Sequence, residues 1–278
     1  MKALFDQVSH TCSKITTKTY STSFSLGILC LDKKFREPIY NIYGFVRFAD
    51  EIVDSFHGYD KQFLLEDFKK QTYQGIEQKI SLNPILNSFQ KVVRSFNIDI
   101  ELIEAFLNSM EMDLYNSMHS SSSYKNYIYG SAEVVGLMCL KVFAEGDQKE
   151  YERLKYPAMK LGSAFQKVNF LRDLNADYLE LGRTYFPDVN MNDFSIEKKK
   201  QIEEDIKKEF DEAFEGIKQL PKGARGGVYL AYVYYKSLFN KIRSIPGNKL
   251  MSERIRIPNN QKIGLLVESY IKHNLNLL

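Results

Sequence analysis

Apolar residues recur at helical spacing along almost the whole chain, and the alternation typical of β-strands is nearly absent. Only seven prolines occur, and several of them fall between the periodic segments, where they end helices. The pattern predicts an all-α fold in a single domain over residues 1–278. Ten helices are predicted, at about 3–19, 36–56, 60–78, 82–95, 99–118, 124–144, 149–180, 195–218, 224–244 and 259–275. The short alternating stretch RIRIP (Arg254–Pro258) is predicted to be an extended lead-in to the last helix.

Composition and charge make several functions improbable. The net charge of +3 is small for 278 residues, so nucleic-acid binding has little support. The three cysteines are far apart and form no CxxC pair, a pattern typical of a reduced intracellular protein without a zinc site. The N-terminus MKALFDQVSH lacks the apolar region of a signal peptide, and the most apolar segment, Tyr127–Ala144, is interrupted by Glu133 and Lys141. We therefore expect a cytoplasmic protein that does not span a membrane.

The segment RFADEIVD (Arg47–Asp54) places acidic side chains directly after an apolar stretch. Asp50 and Asp54 are four residues apart, so they share one helix face, with Arg47 one turn earlier. Like charges at this spacing destabilise a helix by about 0.2–0.5 kcal/mol, and a compensating charge is expected. Glu51 lies off this face, and we predict a salt bridge or solvent contact for it rather than metal binding.

A second polar stripe lies in the segment QKVNFLRDLNAD (Gln166–Asp177). Gln166, Asn169, Asp173 and Asp177 follow one another at intervals of about one turn, and apolar side chains occupy the opposite face of the same helix. This helix therefore presents a row of oxygen ligands, two amides followed by two carboxylates.

Two facing stripes of this kind suit a magnesium–diphosphate site. Mg²⁺ prefers oxygen ligands, keeps several of its waters and bridges a few carboxylates to substrate phosphates. It would also supply the positive charge that compensates the clustered aspartates. The competing interpretation is a solvated helix face, which is the usual role of a lone pair of aspartates four residues apart. Two such pairs in apolar surroundings favour the metal site.

The motifs resemble those of the squalene/phytoene synthase family. RFADEIVD is similar to the first aspartate-rich motif of that family, and QKVNFLRDLNADYLELGRTYFP (Gln166–Pro187) is similar to the second. Three further segments resemble the family's entry segment, middle helix and C-terminal segment: YSTSFS (Tyr20–Ser25), YIYGSAEVVG (Tyr127–Gly136) and RIRIPNNQKIGLL (Arg254–Leu266). The resemblance therefore covers nearly the whole chain.

The resemblance implies an all-α isoprenoid synthase fold with a central cavity, and the head-to-head (1′–1) condensation of two prenyl diphosphates. It implies Mg²⁺ as the cofactor, with Mn²⁺ as the alternative metal, and catalytic roles for the four aspartates and Tyr129. The metal ligands that it implies are Asp50, Asp54, Asn169, Asp173 and Asp177. The residues expected to bind diphosphate are Ser21, Ser23, Arg47, Gln166, Asn169 and Arg183. Two positions depart from the family pattern, Thr22 in the entry segment and Glu133 in the middle helix.

Ionisation of an allylic diphosphate leaves a carbocation, which reacts with any nearby nucleophile. The cavity walls should therefore be apolar, with aromatic faces that stabilise positive charge by about 0.5–2 kcal/mol each. The chain has 18 tyrosines, 19 phenylalanines and no tryptophan. The expected wall residues are Phe24, Tyr43, Phe48, Tyr127, Tyr129, Phe165 and Tyr235. Core packing is the alternative role for each of them.

Three questions about function stay open at this level. Small residues at Gly27, Ala132 and Gly136 are compatible with a deep pocket. Squalene synthases of the family usually carry a C-terminal membrane helix, and the final segment IKHNLNLL does not resemble one, which favours two geranylgeranyl diphosphates and phytoene. The alternative is two farnesyl diphosphates, giving squalene with NADPH or dehydrosqualene without it. A non-catalytic scaffold of the same fold, or a cyclase or head-to-tail prenyltransferase, is a weaker alternative, because the aspartates are present and DDxxD motifs are not. Since the product is hydrocarbon, we expect peripheral membrane contact and transfer to a membrane-bound desaturase.

Overall fold

The computed structural model describes residues 1–115, 120–187, 195–250 and 255–274. Helices make up most of these residues, which confirms the predicted all-α class. The helices are α1 (Lys2–Tyr20), α2 (Thr22–Leu29), α3 (Lys33–Asp54), α4 (Lys61–Gln78), α5 (Pro84–Ser95), α6 (Ile100–Tyr115), α7 (Ser121–Ile128), a π-helical segment (Tyr129–Glu133), α8 (Val134–Ala144), α9 (Gln148–Leu181), α10 (Ile196–Gln219), α11 (Lys222–Arg243), α12 (Gly247–Leu250) and α13 (Asn259–Asn274).

Local capping signals set several of these boundaries. Asn83 accepts hydrogen bonds from the backbone N–H groups that open α5, with Pro84 at the first helical position. Asp147 caps α9 in the same way, and Gly182 ends that helix with a φ of +64°, which glycine adopts without strain. The short helices α2 and α12 were not predicted from the sequence. Arg254 lies outside the described residues, whereas residues 255–258 precede α13 without regular structure.

The buried apolar side chains form two clusters. In the first cluster, which is built largely from α3 to α8, the rings of Phe45 and Phe89 stack at 3.8 Å. In the second, built largely from α9 to α11, Phe210 packs against Phe239 at 5.7 Å. Burial of such a side chain contributes about 1.5–3 kcal/mol. Val228 packs against both clusters, so the two are continuous.

The π-helical segment and α8 run antiparallel to α9 at very short range. A Cβ atom on Gly162 would lie 2.6 Å from the carbonyl oxygen of Ala132, and one on Gly136 would lie 3.0 Å from the carbonyl oxygen of Ala158. Only glycine allows backbones to approach this closely. The long helix α9 is therefore held in a fixed register against α8, and the residues that the two helices present on their inner faces keep fixed positions relative to one another.

One helical run, Ser121–Ala144, is long and apolar enough to cross a membrane, with a mean hydropathy of 1.3. In the most apolar 18-residue window of this run, 67% is buried inside the protein. Burial of this extent is typical of a core helix in a globular fold. The run also contains a buried lysine, Lys141, which pairs with Asp99 at 3.0 Å. Length and apolar composition alone are weak evidence for a membrane span.

Candidate active site

A cavity of about 660 Å³ runs between helices α2, α3, α6 and α8 to α11. Along α3 its lining extends from Ile39 to Asp54, and along α9 from Leu154 to Asp177. In both helices the apolar residues come first and the carboxylates come last. The cavity therefore has an acidic end and an apolar interior, as the family resemblance implies.

On α3, Arg47 donates hydrogen bonds to both Asp50 and Glu51. The prediction that Glu51 forms a salt bridge is thereby confirmed. The Arg47 guanidinium also lies over the ring of Tyr20, 4.3 Å from its centroid. Arg47, Asp50 and Tyr20 line the cavity, whereas Glu51 is not among the described lining residues. Arg47 thus presents a positive charge beside the carboxylates.

On α9, the predicted stripe faces the cavity along its whole length. Gln166, Asn169, Asp173 and Asp177 all line it. The Asn169 amide donates to Gln166 at 3.4 Å, and the Tyr235 hydroxyl donates to Asn169 at 3.2 Å. These contacts hold the two amides in place at the level where the polar part of the cavity begins.

Clustering of the carboxylates has a marked electrostatic effect. Burial, then the neighbouring charge of Asp54, raises the pKa of Asp50 to about 7. Burial raises the pKa of Asp177 to about 7 as well, with further contributions from Asp173 and Asp54. Because Asp54 acts on Asp177, the two stripes lie within electrostatic range of each other. The acidic end therefore favours a bound cation.

A buried polar network braces this end from behind. Arg183 donates to Asp54 at 2.7 Å and to the carbonyl oxygens of Asp113 at 3.0 Å and Val53 at 3.3 Å. The hydroxyl of Tyr127 donates to the Asp113 carboxylate at 2.7 Å, and that of Tyr185 does so at 3.4 Å. Burial raises the pKa of Asp113 to about 7, against the opposing charge of Arg183.

Sequence reasoning missed two residues of the site. Asp113 on α6 belongs to none of the sequence motifs, and it meets Tyr127 and Tyr185 only through contacts distant in sequence. Arg172 lines the cavity and pairs with Asp173, its neighbour in the chain. The sequence could have indicated Arg172, because its positive charge is adjacent to Asp173 in the second motif.

The aromatic wall is largely as predicted. Phe24, Tyr43, Tyr127, Phe165 and Tyr235 line the cavity, whereas Phe48 is 39% exposed and is not among the described lining residues. The rings of Phe24 and Tyr43 lie 4.9 Å apart, and those of Phe165 and Tyr235 stack at 4.0 Å. Burial raises the pKa of Tyr43 to about 12, so its hydroxyl stays neutral. These rings present π-faces and neutral hydroxyls toward any carbocation.

The predicted serines also reach the cavity. Ser21 and Ser23 both line it, at the start of α2. The hydroxyl of Ser21 accepts from the backbone N–H of Phe24 at 3.2 Å, and so caps this short helix. Two hydroxyls and a helix N-terminus therefore border the cavity at the position predicted for diphosphate contacts.

Two predicted residues lie elsewhere. Tyr129 is 37% exposed and is not among the described lining residues, whereas Tyr127 and Ser131, on either side of it in the chain, do line the cavity. Its position does not support a catalytic role. Arg183 is buried behind the carboxylates rather than in the cavity wall, and its contacts are those of a brace for Asp54. It therefore positions a carboxylate instead of facing the diphosphate.

The donor set at the acidic end fits Mg²⁺. Four carboxylates and the Asn169 amide supply hard oxygen ligands, and the raised pKa values of Asp50 and Asp177 mark an excess of negative charge. Within the described ranges, no group of three or more His, Cys, Asp or Glu side chains is close enough to hold an ion alone. The residues present therefore suit ions that a diphosphate bridges to one or two carboxylates each.

Together the helical fold and the cavity define an isoprenoid synthase of the all-α class. Residues 17–261 match the squalene/phytoene synthase family model. Since this match covers most of the chain, the chain belongs to the squalene/phytoene synthase family. It is thus a prenyltransferase of the phytoene synthase type.

The similar proteins include two curated enzymes and two solved structures. Phytoene synthase 1 of Solanum lycopersicum is 26% identical over 96% of this chain and 68% of its own length. The 4,4′-diapophytoene synthase of Staphylococcus haemolyticus is 29% identical over 68% of this chain and 65% of its own length. The chain thus spans about two thirds of the length of these relatives.

The solved structures share the fold. A dehydrosqualene synthase in complex with a ligand superposes with a TM-score of 0.80 at 22% identity, covering 96% of this chain and 98% of that one. The squalene synthase HpnC from Alicyclobacillus acidocaldarius superposes with a TM-score of 0.75 at 19% identity, covering 86% and 94% respectively. At these identities the likeness concerns the fold alone.

Proposed function

We propose that the chain condenses two geranylgeranyl diphosphates head to head, through a cyclopropylcarbinyl diphosphate, to give phytoene for carotenoid biosynthesis. One observation carries the proposal: two carboxylate pairs and Arg47 border one end of a cavity whose remaining wall is apolar and aromatic. Such a cavity separates a charged leaving group from a carbocation. The scaffold alternative loses ground, because all four aspartates line the cavity.

Asp50, Asp54, Asp173, Asp177 and Asn169 are the residues that would hold Mg²⁺, which when bound neutralises charge developing on the leaving diphosphate. Arg47 and Arg172 donate charge-assisted hydrogen bonds to the same oxygens. Ser21 and Ser23 supply hydroxyl donors from α2. Each contact strengthens as the C–O bond breaks, so it favours the transition state over the ground state.

The apolar part of the cavity orients the two prenyl chains and excludes water. The π-faces of Phe24, Tyr43, Phe165 and Tyr235 face the positive charge that remains on the allylic fragment. The double bond of the second chain attacks this carbon, and the attacked carbon then loses a proton to the released diphosphate as the cyclopropane ring closes. The cyclopropylcarbinyl diphosphate so formed ionises in turn, its cation rearranges, and the bound diphosphate takes the second and final proton.

Gly27, Ala132 and Gly136 line the cavity, but a Cβ atom on Gly27 or Gly136 would meet the backbone of Gly227 or Ala158, so these small residues do not decide the substrate length. The alternative substrate is farnesyl diphosphate, which would give dehydrosqualene, or squalene if NADPH is used. The relatives include both a phytoene synthase and a diapophytoene synthase, so they do not decide between the two lengths.

The proposal is tested by incubating the purified protein and Mg²⁺ with geranylgeranyl or farnesyl diphosphate, each with and without NADPH. Hydrocarbons are then identified by mass. A C40 hydrocarbon formed without NADPH is the expected result, and a chelator should abolish it. Exclusive formation of a C30 product would overturn the substrate assignment, and no hydrocarbon from either substrate would overturn the function.

We further propose that the acidic end of the cavity rests on a membrane surface. Three exposed aromatic side chains follow Asp54 within nine residues: Phe56, Tyr59 and Phe63, which are 36%, 73% and 62% exposed. Phe56 and Tyr59 lie 6.3 Å apart. Exposed aromatic rings of this kind insert at the lipid–water interface. Amphiphilic substrates would enter here, and transfer of product to a membrane-bound desaturase would take place here.

A further inference from the structure

The polarity of the N-terminal helix α1 is reversed relative to an ordinary surface helix. The helix packs against α3 and α5, and the side chains that it buries are Ser9, Ser13 and Thr17. Its aliphatic side chains point to solvent instead: Leu4, Val8 and Ile15 are 64%, 49% and 59% exposed. A surface helix normally buries its apolar stripe and exposes its polar face. The reversed arrangement indicates that a partner covers the outer face of α1.

Hydrogen bonds fix which face of α1 is buried. The hydroxyls of Ser13 and Ser88 lie 2.7 Å apart, and the Asn87 amide donates to the Ser9 hydroxyl at 3.0 Å. A Cβ atom on Gly44 would lie 2.6 Å from the Ser13 hydroxyl oxygen, so side chains larger than serine have no room there. The helix therefore cannot turn about its axis to bury its aliphatic side chains.

The exposed residues of α1 follow the spacing of a coiled coil. They recur at alternating intervals of four and three residues: Leu4, Val8, Thr11, Ile15 and Lys18. In heptad terms Val8 and Ile15 occupy a positions, and Leu4 occupies a d position. A β-branched residue at a with Leu at d favours two parallel strands. The polar residues Thr11 and Lys18 weaken such a pairing and specify its register.

This seam, residues 4, 8, 11, 15 and 18, fits a helix better than a lipid surface. It is one residue wide at each turn, and Gln7 and Lys14 border it. A helix that lies in a membrane surface has a broader apolar face that includes aromatic residues. The seam contains no aromatic residue. Its width and its aliphatic composition therefore favour pairing with another helix.

We propose that a second copy of this chain covers the seam, with the two α1 helices paired in parallel about a two-fold axis that runs along them. Each copy then presents the same side chains, so the contact is isologous and closes at the dimer. The inference does not depend on the proposed function, because pairing needs no substrate.

The size of the face sets the strength expected for the dimer. With 19 residues, α1 is about 28 Å long. Leu82, which is 90% exposed, lies near its N-terminal half, because Asn87 bonds both the backbone N–H of Ser81 and the Asp6 carboxylate. One helix pair with this addition is small beside the roughly 800 Å² per partner of a standard interface. We therefore expect a reversible dimer with a micromolar dissociation constant.

The parallel orientation determines where the two cavities open. Helix α1 runs in the same direction as α3: His10 lies 2.9 Å from the side-chain oxygen of Asn41, and Tyr20 lies under the Arg47 guanidinium. The C-terminal end of α1 is therefore at the acidic end of the cavity. In a parallel dimer both acidic ends face the same side, whereas an antiparallel pair would direct them to opposite sides.

Sedimentation velocity of the full chain between about 1 and 100 µM tests the pairing. The native protein should shift from monomer to dimer over this range. Val8→Gln combined with Ile15→Gln should raise the dissociation constant by about tenfold or more, because four apolar side chains leave the dimer interface. The matched control is Val267→Gln with Ile271→Gln on α13, where the side chains are 52% and 49% exposed. It should change the constant by less than about twofold, and circular dichroism should show native helix content in both variants.

Disulfide cross-linking tests the orientation. In a parallel pair identical seam positions face each other within disulfide reach, whereas in an antiparallel pair Leu4 lies opposite the other end of the seam. Leu4→Cys in a Cys12→Ser background should therefore form a covalent dimer on mild oxidation, and Cys12→Ser alone should not. Cross-linking only in a mixture of Leu4→Cys and Lys18→Cys proteins would overturn the parallel orientation.

The proposal fails if the native protein remains monomeric up to about 100 µM, or if the seam variant dimerises as well as the native protein. Equal weakening by the α13 control would also overturn it. Binding to vesicles of phosphatidylcholine and phosphatidylglycerol is measured in parallel. If native protein and seam variant are both monomeric and only the variant loses vesicle binding, a membrane covers α1 and the dimer is excluded.

Discussion

Arg183 donates a hydrogen bond to Asp54 over 2.7 Å, while its own side chain is only 8% exposed. The same guanidinium binds the backbone carbonyl oxygens of Val53 and Asp113. It therefore ties the loop after α9 to the ends of α3 and α6, the helices that carry Asp54 and Asp113.

Arg183→Gln should destabilise the protein by about 3 kcal/mol, because it leaves the Asp113 carboxylate buried without its cation. Activity should fall as well, since Asp54 loses its brace. Thermal unfolding and turnover are measured together. Arg153→Gln is the matched control, because Arg153 pairs with Glu150 at 44% exposure and its loss should change stability by less than about 1 kcal/mol. Equal stability losses in the two variants would contradict the bracing role.

Asp50→Asn and Asp173→Asn should each lower turnover by about 10²-fold or more, because each removes a charge from the diphosphate end of the cavity. Glu51→Gln is the control on the same helix, and its effect should be much smaller. Circular dichroism should show native helix content in all three variants. Native turnover in both aspartate variants would rule out the proposed metal site.

Mg²⁺ and inorganic diphosphate should stabilise the protein cooperatively, because within the described residues no three acidic side chains converge on one ion. We expect a rise in melting temperature with both ligands that exceeds the sum of the rises with each alone. Differential scanning calorimetry measures this, and Asp54→Asn should abolish the excess. Full stabilisation by Mg²⁺ alone would show instead that the protein holds the ion unaided.

Glu133 does not line the cavity among the described residues but lies near Lys160, Lys167 and Glu209. Burial raises its pKa, with Lys160 opposing that shift. The folded protein therefore keeps this proton to higher pH than the unfolded chain does. The stability that the protonated carboxyl contributes is complete below the unfolded pKa and is lost as pH rises through the folded pKa.

Because Gln cannot lose a proton, Glu133→Gln should gain stability relative to the native protein as pH rises from about 4.5, the ordinary range of a glutamate. Urea unfolding of both proteins at several pH values gives this difference, in which the other titrating groups largely cancel. A difference that stays constant or shrinks with rising pH would contradict the shift.

Replacing Phe56, Tyr59 and Phe63 together by serine should weaken binding to anionic vesicles by about tenfold or more, since three apolar side chains leave the interface. Turnover of detergent-dispersed substrate should change little. Co-sedimentation measures the binding. Tyr156→Ser is the control, because Tyr156 is 57% exposed but lies on α9 away from these aromatics in the chain. Equal binding by all three proteins would exclude this surface.

The sequence was sufficient to predict the four aspartates and most of the aromatic wall. Helical spacing places Asp50 with Asp54, and Asp173 with Asp177, whatever the tertiary structure. It could not predict the roles of Asp113 and Arg183, whose contact joins residues 70 apart in the chain.

Tyr129 begins the π-helical segment. The family resemblance singled it out, but it is 37% exposed, whereas Tyr127 and Ser131 line the cavity. Such a segment has no distinctive composition, and the sequence pattern gives no sign of it.

The contact between Gly162 and the carbonyl oxygen of Ala132 bears on how this cavity can change during evolution. Any larger residue at position 162 would force α9 away from the π-helical segment, so single substitutions at this position cannot change the spacing of the two helices in small steps. Side chains that point into the interior, such as Leu154 and Leu220, are under no such restraint. Divergence in product length is therefore accessible through single substitutions at the apolar end, while the geometry of the acidic end is inherited unchanged.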